Sequence, residues 1–381
     1  MMRTGETTME FRYETVIIGA GPAGMACAVT MQKDGRTPCV IDKATFPRRK
    51  TCAGLVTGKT YRLIRQLFDN DAPDSLFSNT SGRLRLFRRT QLLVEADMAH
   101  PVRFVSRTHF DNALVERYKA LGGVLMEGEG ITQIDYDRRI ISLKSGDAVR
   151  YDTLLFADGA LSLSRKLTGA DKAGLAFGIE AYIPASLLPT DSVDLYFDYL
   201  DSGYIWAFPH GDTVCVGAAD RWRKGVDYRA VFERFLNDVG VPAQGLRYIG
   251  AFLPYGTAAE QDKLPQNILL LGDAAGLTDP ISGEGLYMAM QSGVTAASAL
   301  REPDPKHSFL EGIRPLTDVV RQGMKVQRAF YSPIPHRTFL HKVRGNSRAV
   351  SYFFDNMVDE YRYAYRDLPR LLSDYRQSKR S

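Results

Sequence analysis

Glu14-Thr-Val-Ile-Ile-Gly19-Ala-Gly21-Pro-Ala-Gly24 joins an apolar run of strand length to three glycines in the order G-x-G-x-x-G, and the spacing predicts a helix from about Pro22 to Asp34. The first glycine permits a tight turn, the second lets a pyrophosphate reach backbone N–H groups, and the third lets helix and strand approach. Ala23, Ala26, Cys27 and Thr30 form a stripe of small residues that suits a helix lying close on a sheet. A second strand, Pro38-Cys-Val-Ile-Asp42, ends in a carboxylate placed to accept both hydroxyls of an adenosine ribose. Strand, glycine turn, helix, strand and acid together point to an adenine dinucleotide. They do not separate NAD from FAD, which present the same ADP moiety.

The distal half carries the rest of that reading. Thr108 is expected to cap a helix with Asp111 three places on, Phe110, Leu114, Tyr118 and Leu121 supply its apolar stripe, and Gly122-Gly123 end it. Tyr151-Asp-Thr-Leu-Leu-Phe156 reads as a strand stopping at Asp158-Gly159. From Val193 to Ala219 the pattern changes to alternation, with Val193, Leu195 and Phe197, then Tyr204, Trp206 and Phe208, then a turn at Pro209-His-Gly-Asp212, which implies antiparallel strands. The α/β pattern returns at Asn267-Ile-Leu-Leu-Leu271. There Gly272-Asp273 ends the strand and Gly283-Glu-Gly285-Leu286 opens a helix reaching about Leu300. Asp273 suits a ribityl hydroxyl or the pyrophosphate, and amides near Gly285 and Leu286 suit the flavin oxygen O2, where their partial positive charge would stabilise a reduced anionic ring. A capped helix on a glycine turn is the plainer account of this second segment. The two glycine segments together favour FAD.

The composition is that of a globular protein: 381 residues, 44% hydrophobic and 24% charged, which excludes disordered and collagenous classes. Cys27, Cys39, Cys52 and Cys215 show neither C-x-x-C spacing nor a neighbouring histidine pair, so no zinc site or disulfide framework is expected. The six histidines pair with no nucleophile, and no metal or nucleic-acid partner is expected. Met1 to Arg12 carry no apolar core of a signal peptide and no stretch is long enough to span a membrane, so a cytoplasmic location is expected. Net charge is +5, and Ser332 to Ser381 alone hold ten Lys/Arg against five Asp/Glu. With Tyr352, Phe353, Phe354, Tyr361, Tyr363 and Tyr365, this tail reads either as an ordinary solvated helical region or as a membrane-surface contact.

Phe46-Pro-Arg-Arg-Lys-Thr-Cys-Ala-Gly54 resembles the F-P-R-x-K-x-C-G-G loop of the geranylgeranyl reductase family, and Tyr204-Ile-Trp206-Ala-Phe208-Pro209 resembles its Y-x-W-x-F-P stretch. Arg107 through Asp111 matches its R-x-x-F-D segment. Ala53 stands where that family usually has glycine, and His210 where lysine is frequent. The resemblance covers roughly residues 13 to 300, discontinuously.

It implies a Rossmann-like FAD-binding domain of the para-hydroxybenzoate hydroxylase type (13–70, 101–165 and 266–303), an inserted, mostly antiparallel β substrate domain (71–100 and 166–265), and a helical basic C-terminal region (304–381). FAD would be held by Gly19, Gly21, Ala23, Gly24, Asp42, Cys52, Ala53, Arg107, Gly272, Asp273, Gly283, Gly285 and Leu286. Cys52, Tyr204 and Trp206 would lie at the reacting ring, and Tyr204, Trp206 and Phe208, sharing one strand face, would wall an apolar slot. Packing into the core is the other account of those three. The activity implied is reduction of isoprenoid double bonds by hydride from reduced flavin. Because no second G-x-G-x-x-G occurs, electrons would come from a docked donor, NAD(P)H or a redox protein. The same fold also supports a flavin monooxygenase or a flavin electron carrier.

Overall fold

The computed structural model describes residues 9–168, 174–256, 259–360 and 365–378; Tyr361 and Tyr363 of the tail lie outside them. Strands and helices are numbered in chain order. One sheet holds β1 (Glu10–Ile18), β2 (Cys39–Asp42), β6 (Val124–Glu127), β7 (Ile131–Asp135), β8 (Ile140–Leu143), β9 (Ala148–Phe156) and β15 (Ile268–Leu270). Their order is β6-β2-β1-β9-β8-β7, with β15 pairing the end of β9, and the central pairs β2-β1, β1-β9 and β9-β15 are parallel. The ends of β1, β9 and β15 therefore deliver Gly19, Asp158 and Gly272 to one edge, where open parallel sheets bind ligands.

Helices α1 (Pro22–Lys33), α2 (Gly58–Leu67) and α3 (Arg107–Ala120), with α6 (Leu286–Ala299), cover one face of this sheet. Small residues set how closely α1 and α6 pack: a Cβ on Gly293 would stand 2.2 Å from the Ala23 carbonyl oxygen. α3 begins two residues earlier than expected. Ser106 occupies its N-cap, so Thr108 lies inside the first turn and caps nothing. Of the expected stripe, Phe110, Leu114 and Tyr118 are fully buried, and Leu121, at the C-cap, is half-buried.

The second sheet runs β14-β10-β13-β12-β11-β4-β5-β3. Its strands are β3 (Leu55–Val56), β4 (Phe77–Arg88), β5 (Gln91–Val105), β10 (Leu175–Pro184), β11 (Val193–Phe197), β12 (Tyr204–His210), β13 (Thr213–Arg221) and β14 (Ile249–Pro254). All neighbours are antiparallel except β11-β4. The boundary expected at residue 100 cuts β5, which runs on to Val105, and β3 joins this sheet from within 13–70. Alternation sorts β12 as anticipated. Ile205 and Ala207 face a core shared with α5 (Tyr228–Asp238), and Trp206 and Phe208 face the opposite one, with Tyr204 packed against it.

A short α4 (Arg165–Thr168) follows β9. The chain then ends in α7 (Pro305–Gly312), α8 (Arg314–Phe330), α9 (Pro333–Val343), α10 (Ser347–Phe353), a π-helical turn at Phe354–Asp359 and α11 (Leu368–Ser378). Among the described residues no helix is long and apolar enough to cross a membrane. Leu340, Val343, Val350 and Phe354 are buried against Trp206, Phe208 and Phe197, so this stretch of the tail is part of the second sheet's core.

Candidate active site

Gly19 sits at φ +104°, a conformation L side chains rarely adopt, and a Cβ there would lie 2.5 Å from the Ala157 carbonyl oxygen. Gly24 is equally constrained, since its Cβ would stand 2.0 Å from the Gly19 oxygen. At Gly21 the space is open instead: the nearest atom to a Cβ would be Nη2 of Arg48, 3.5 Å away. No side chain caps α1, so its first-turn amides and the Arg48 guanidinium border the same gap. These donors fit a pyrophosphate, because a helix N-terminus and a planar cation both complement its charge. Asp42 accepts hydrogen bonds from the amides of Ala20 (2.7 Å) and Ala44 (2.8 Å), which holds its carboxylate beside the glycine turn.

The distal glycine segment meets the first. A Cβ on Gly272, at φ +54°, would lie 3.0 Å from that of Ala23, and the Gly272 amide donates to Ser292 Oγ at 2.9 Å. Asp273 is partly open to solvent, with the Thr278 hydroxyl 3.5 Å from its carboxylate. The loop that enters α6 is pinned from three sides. Asp279, fully buried, accepts from the Tyr365 hydroxyl on both oxygens (2.8 and 2.7 Å). Glu284 pairs with Lys59 at 2.7 Å and accepts from Thr57 at 2.9 Å. The Tyr204 hydroxyl donates to the Ser282 carbonyl, beside Gly283. Gly283, Gly285 and Leu286 are thereby held at the N-terminus of α6, with no side-chain cap on its amides.

The cysteine loop closes the third side. Gly54 takes φ +73°, where a Cβ would collide with the Val105 carbonyl at 2.1 Å. The Cys52 amide donates to Glu180 Oε1 (3.2 Å), and its sulfur accepts from the Gly54 amide (3.4 Å). Arg107 is buried, doubly bonded to Asp111 (2.6 and 2.9 Å), and also reaches the Cys52 thiol. Arg48 approaches the same Asp111 at 3.4 Å, so one buried carboxylate ties the cysteine loop to the phosphate gap. The two positions where the sequence departs from its resemblance meet each other: Nε2 of His210 donates to the Ala53 carbonyl at 3.0 Å. That leaves Nδ1 to accept from Ser78 (3.0 Å), and burial pushes the imidazole below its ordinary pKa, so it is a neutral clamp where a lysine would be a cation.

Tyr204, Trp206 and Phe208 form a continuous aromatic row, with ring centroids 6.4 Å apart at each step, edge-on between Tyr204 and Trp206 and tilted between Trp206 and Phe208. The row lies under the tail rather than facing solvent. Trp206 lies flat over Gly217, where a Cβ would touch its ring at 2.1 Å. The structure thus assembles the two glycine segments, the cysteine loop, Arg107 and the aromatic row around one place. From the sequence, the basic run Arg48-Arg49-Lys50 suits either the charge of a pyrophosphate or reduced flavin or a solvated loop, and Asp111's bridge, Glu284 and Glu180 were missed. The signal for Glu180 was present, since it is a lone acid in the apolar strand Leu175–Pro184. Among the described residues His100, Asp359 and Glu360 also gather, but Arg62 takes both Glu360 oxygens at 2.9 and 2.7 Å, and the group is an ion-pair cluster.

Residues 13–186 match the family model described as pyridine nucleotide-disulphide oxidoreductase. The chain is 29% identical to a geranylgeranyl diphosphate reductase of Rhodobacter capsulatus, over 76% of this chain and 75% of that protein. It is 28% identical to a menaquinone reductase of Mycobacterium tuberculosis, over 76% and 77%. A solved geranylgeranyl bacteriochlorophyll reductase-like protein from Thermoplasma acidophilum superposes with TM-score 0.79 at 16% identity, covering 95% of this chain and all of the other.

Proposed function

We propose that the chain is an FAD-dependent oxidoreductase of the geranylgeranyl reductase type and that it saturates carbon–carbon double bonds of an isoprenoid or similarly apolar substrate, a reading supported by its similarity to the reductases named above. The observation that carries this reading is the aromatic face of β12, which joins the entrance of α6 through Tyr204 and lies on the same sheet face as the contact to the cysteine loop. When bound, FAD supplies hydride to one carbon of the double bond.

The protein's part is binding, orientation and exclusion of water. The α1 amides and Arg48 would hold the pyrophosphate, Asp42 the ribose, and Asp273 the ribityl chain or the pyrophosphate. The loop of Cys52 and Ala53, with Arg107, would hold the redox end. Amides at Gly285 and Leu286 would complement negative charge on the redox ring. Tyr204, Trp206 and Phe208 would wall the apolar chain, and the tail helices packed on them would keep water out of the slot. Electrons come from an external donor, NAD(P)H or a redox protein. A polyprenyl substrate resides in or near lipid, and the exposed Arg337, His341, Lys342, Arg344 and Arg348 around α9 and α10 give the protein a basic surface for brief contact with it.

The test is anaerobic turnover of dithionite-reduced protein with geranylgeranyl diphosphate or menaquinone, read by mass spectrometry. The expected product gains two hydrogens per reduced double bond. An oxygenated product formed only in air identifies a monooxygenase instead, and an unchanged substrate under both conditions identifies a carrier.

A further inference from the structure

Glu180 is 2% exposed and occupies the middle of β10, on the face that carries the aromatic row. Register places it opposite Gly217, which in turn stands opposite Trp206, so carboxyl, glycine and indole lie in one line across three strands. The missing side chain at Gly217 is filled by the Trp206 ring. From the cysteine loop, the Cys52 amide donates to Glu180 Oε1 and the Lys50 cation is nearby. From α3 comes Arg107, and from β13 the Cys215 thiol, 4.0 Å from Oε2. Tyr182, two residues along on the same face, sets its hydroxyl against Cys215 while 40% of the residue remains in solvent. Trp206 and the neutral His210 complete the surroundings from β12.

We propose that Glu180 is the proton donor of the saturation reaction, recharged from solvent by way of Tyr182 and the Cys215 thiol that lies between them. The inference rests on the alkene-reducing function proposed above. As hydride adds to one alkene carbon, the π electron pair forms a C–H bond at the other carbon with the proton of the Glu180 carboxyl. Its O–H bond breaks, and the resulting carboxylate is balanced by Arg107 until water restores the proton. Burial pushes the Glu180 carboxyl up to about 7, with the Cys52 amide, Arg107 and Lys50 opposing that rise, so a substantial protonated fraction persists near neutral pH. Neighbouring cations keep the deprotonated state accessible, as a group that must both give and regain a proton requires.

The experiment compares wild type, Glu180→Gln, Glu180→Asp and Tyr182→Phe in single turnovers of reduced protein with geranylgeranyl diphosphate, and titrates the buried carboxyl by infrared difference spectroscopy without substrate. The wild-type rate should fall as pH rises through about 7, because the acid form is the reactive one. Glu180→Gln should lower the rate roughly a hundredfold or more and remove that limb, while FAD binding, read by flavin fluorescence, persists. Glu180→Asp should recover part of the rate, and Tyr182→Phe should slow repeated turnovers more than the first. A protonated-carboxyl band with a midpoint near 7, absent in Glu180→Gln, supports the assignment. An unaltered rate and pH profile in Glu180→Gln overturns it. Should that variant fail to fold, a wild-type band titrating only in the ordinary carboxylate range, with a normal Tyr182→Phe, overturns it as well. Wild type that saturates no alkene overturns the underlying reading and the donor role together, a result distinct from an active wild type with an equally active Glu180→Gln.

Discussion

Both oxygens of Asp42 hold backbone amides, those of Ala20 and Ala44, and each keeps a further lone pair for a ribose hydroxyl. The carboxylate thus shapes the glycine turn as well as offering a place for the ligand. Asp42→Ala should weaken FAD binding by roughly ten- to a hundredfold, since hydrogen bonds to a charged group contribute about 1.5–3 kcal/mol; titration of the apoprotein by fluorescence measures this, and unchanged affinity removes Asp42 from the site. Asp42 was identifiable from spacing alone, because its distance along the chain from Gly24 follows from one helix and one short strand. Arg48 was not. Its partner Asp111 is remote in sequence, and a basic run in a loop reads the same whether it is solvated or aimed at an anion. Ala53 and His210 looked like two separate departures until the fold joined them through one hydrogen bond.

At the scale of elements, α1 and α6 meet over small residues, and Gly293 rests on the Ala23 backbone. The stripe on α1 was legible from Ala23, Ala26 and Cys27. Its partner was not, because nothing near Gly293 in the sequence says which helix it opposes. Gly293→Val should destabilise the protein by about 1–3 kcal/mol or more, since the backbone of α1 must move to admit the added carbons. It should also weaken FAD binding by displacing the Gly21 gap. Thermal unfolding with and without added FAD checks both effects, and an undisturbed melting temperature contradicts the close contact. The cap of α3 shows the limit of local pattern: Ser106 and Thr108 both suit a helix start, and the course of β5 up to Val105 selects the earlier one.

Across the whole molecule, the C-terminal helices seal the sheet that carries the aromatic row. Phe354, Val350, Val343 and Leu340 are buried there, and Tyr365 binds the buried Asp279 at the mouth of α6. The tail is therefore neither a free solvated helix nor a detachable anchor in this structure. Among the described residues its arginines and lysines face outward, and several of its aromatic residues face in. Ending the chain at Tyr331 should expose this apolar core and give aggregated protein, visible by light scattering, rather than a soluble enzyme that merely lacks affinity for lipid vesicles. Recovery of soluble, FAD-binding protein from that truncation would show that the sheet closes without the tail.

The dinucleotide half of the fold was written locally, because a strand, a glycine turn and a helix follow one another within thirty residues and their chemistry depends on backbone conformations that few residues other than glycine tolerate. Alternation likewise placed Tyr204, Trp206 and Phe208 on one face. What covers that face, and which charged groups share it, depended on pairings between residues far apart: β10 beside β13, the cysteine loop over Glu180, and the tail over β12. Such contacts arise when apolar surfaces from distant segments bury one another, and a periodic pattern reports only that a face will be buried, not by what.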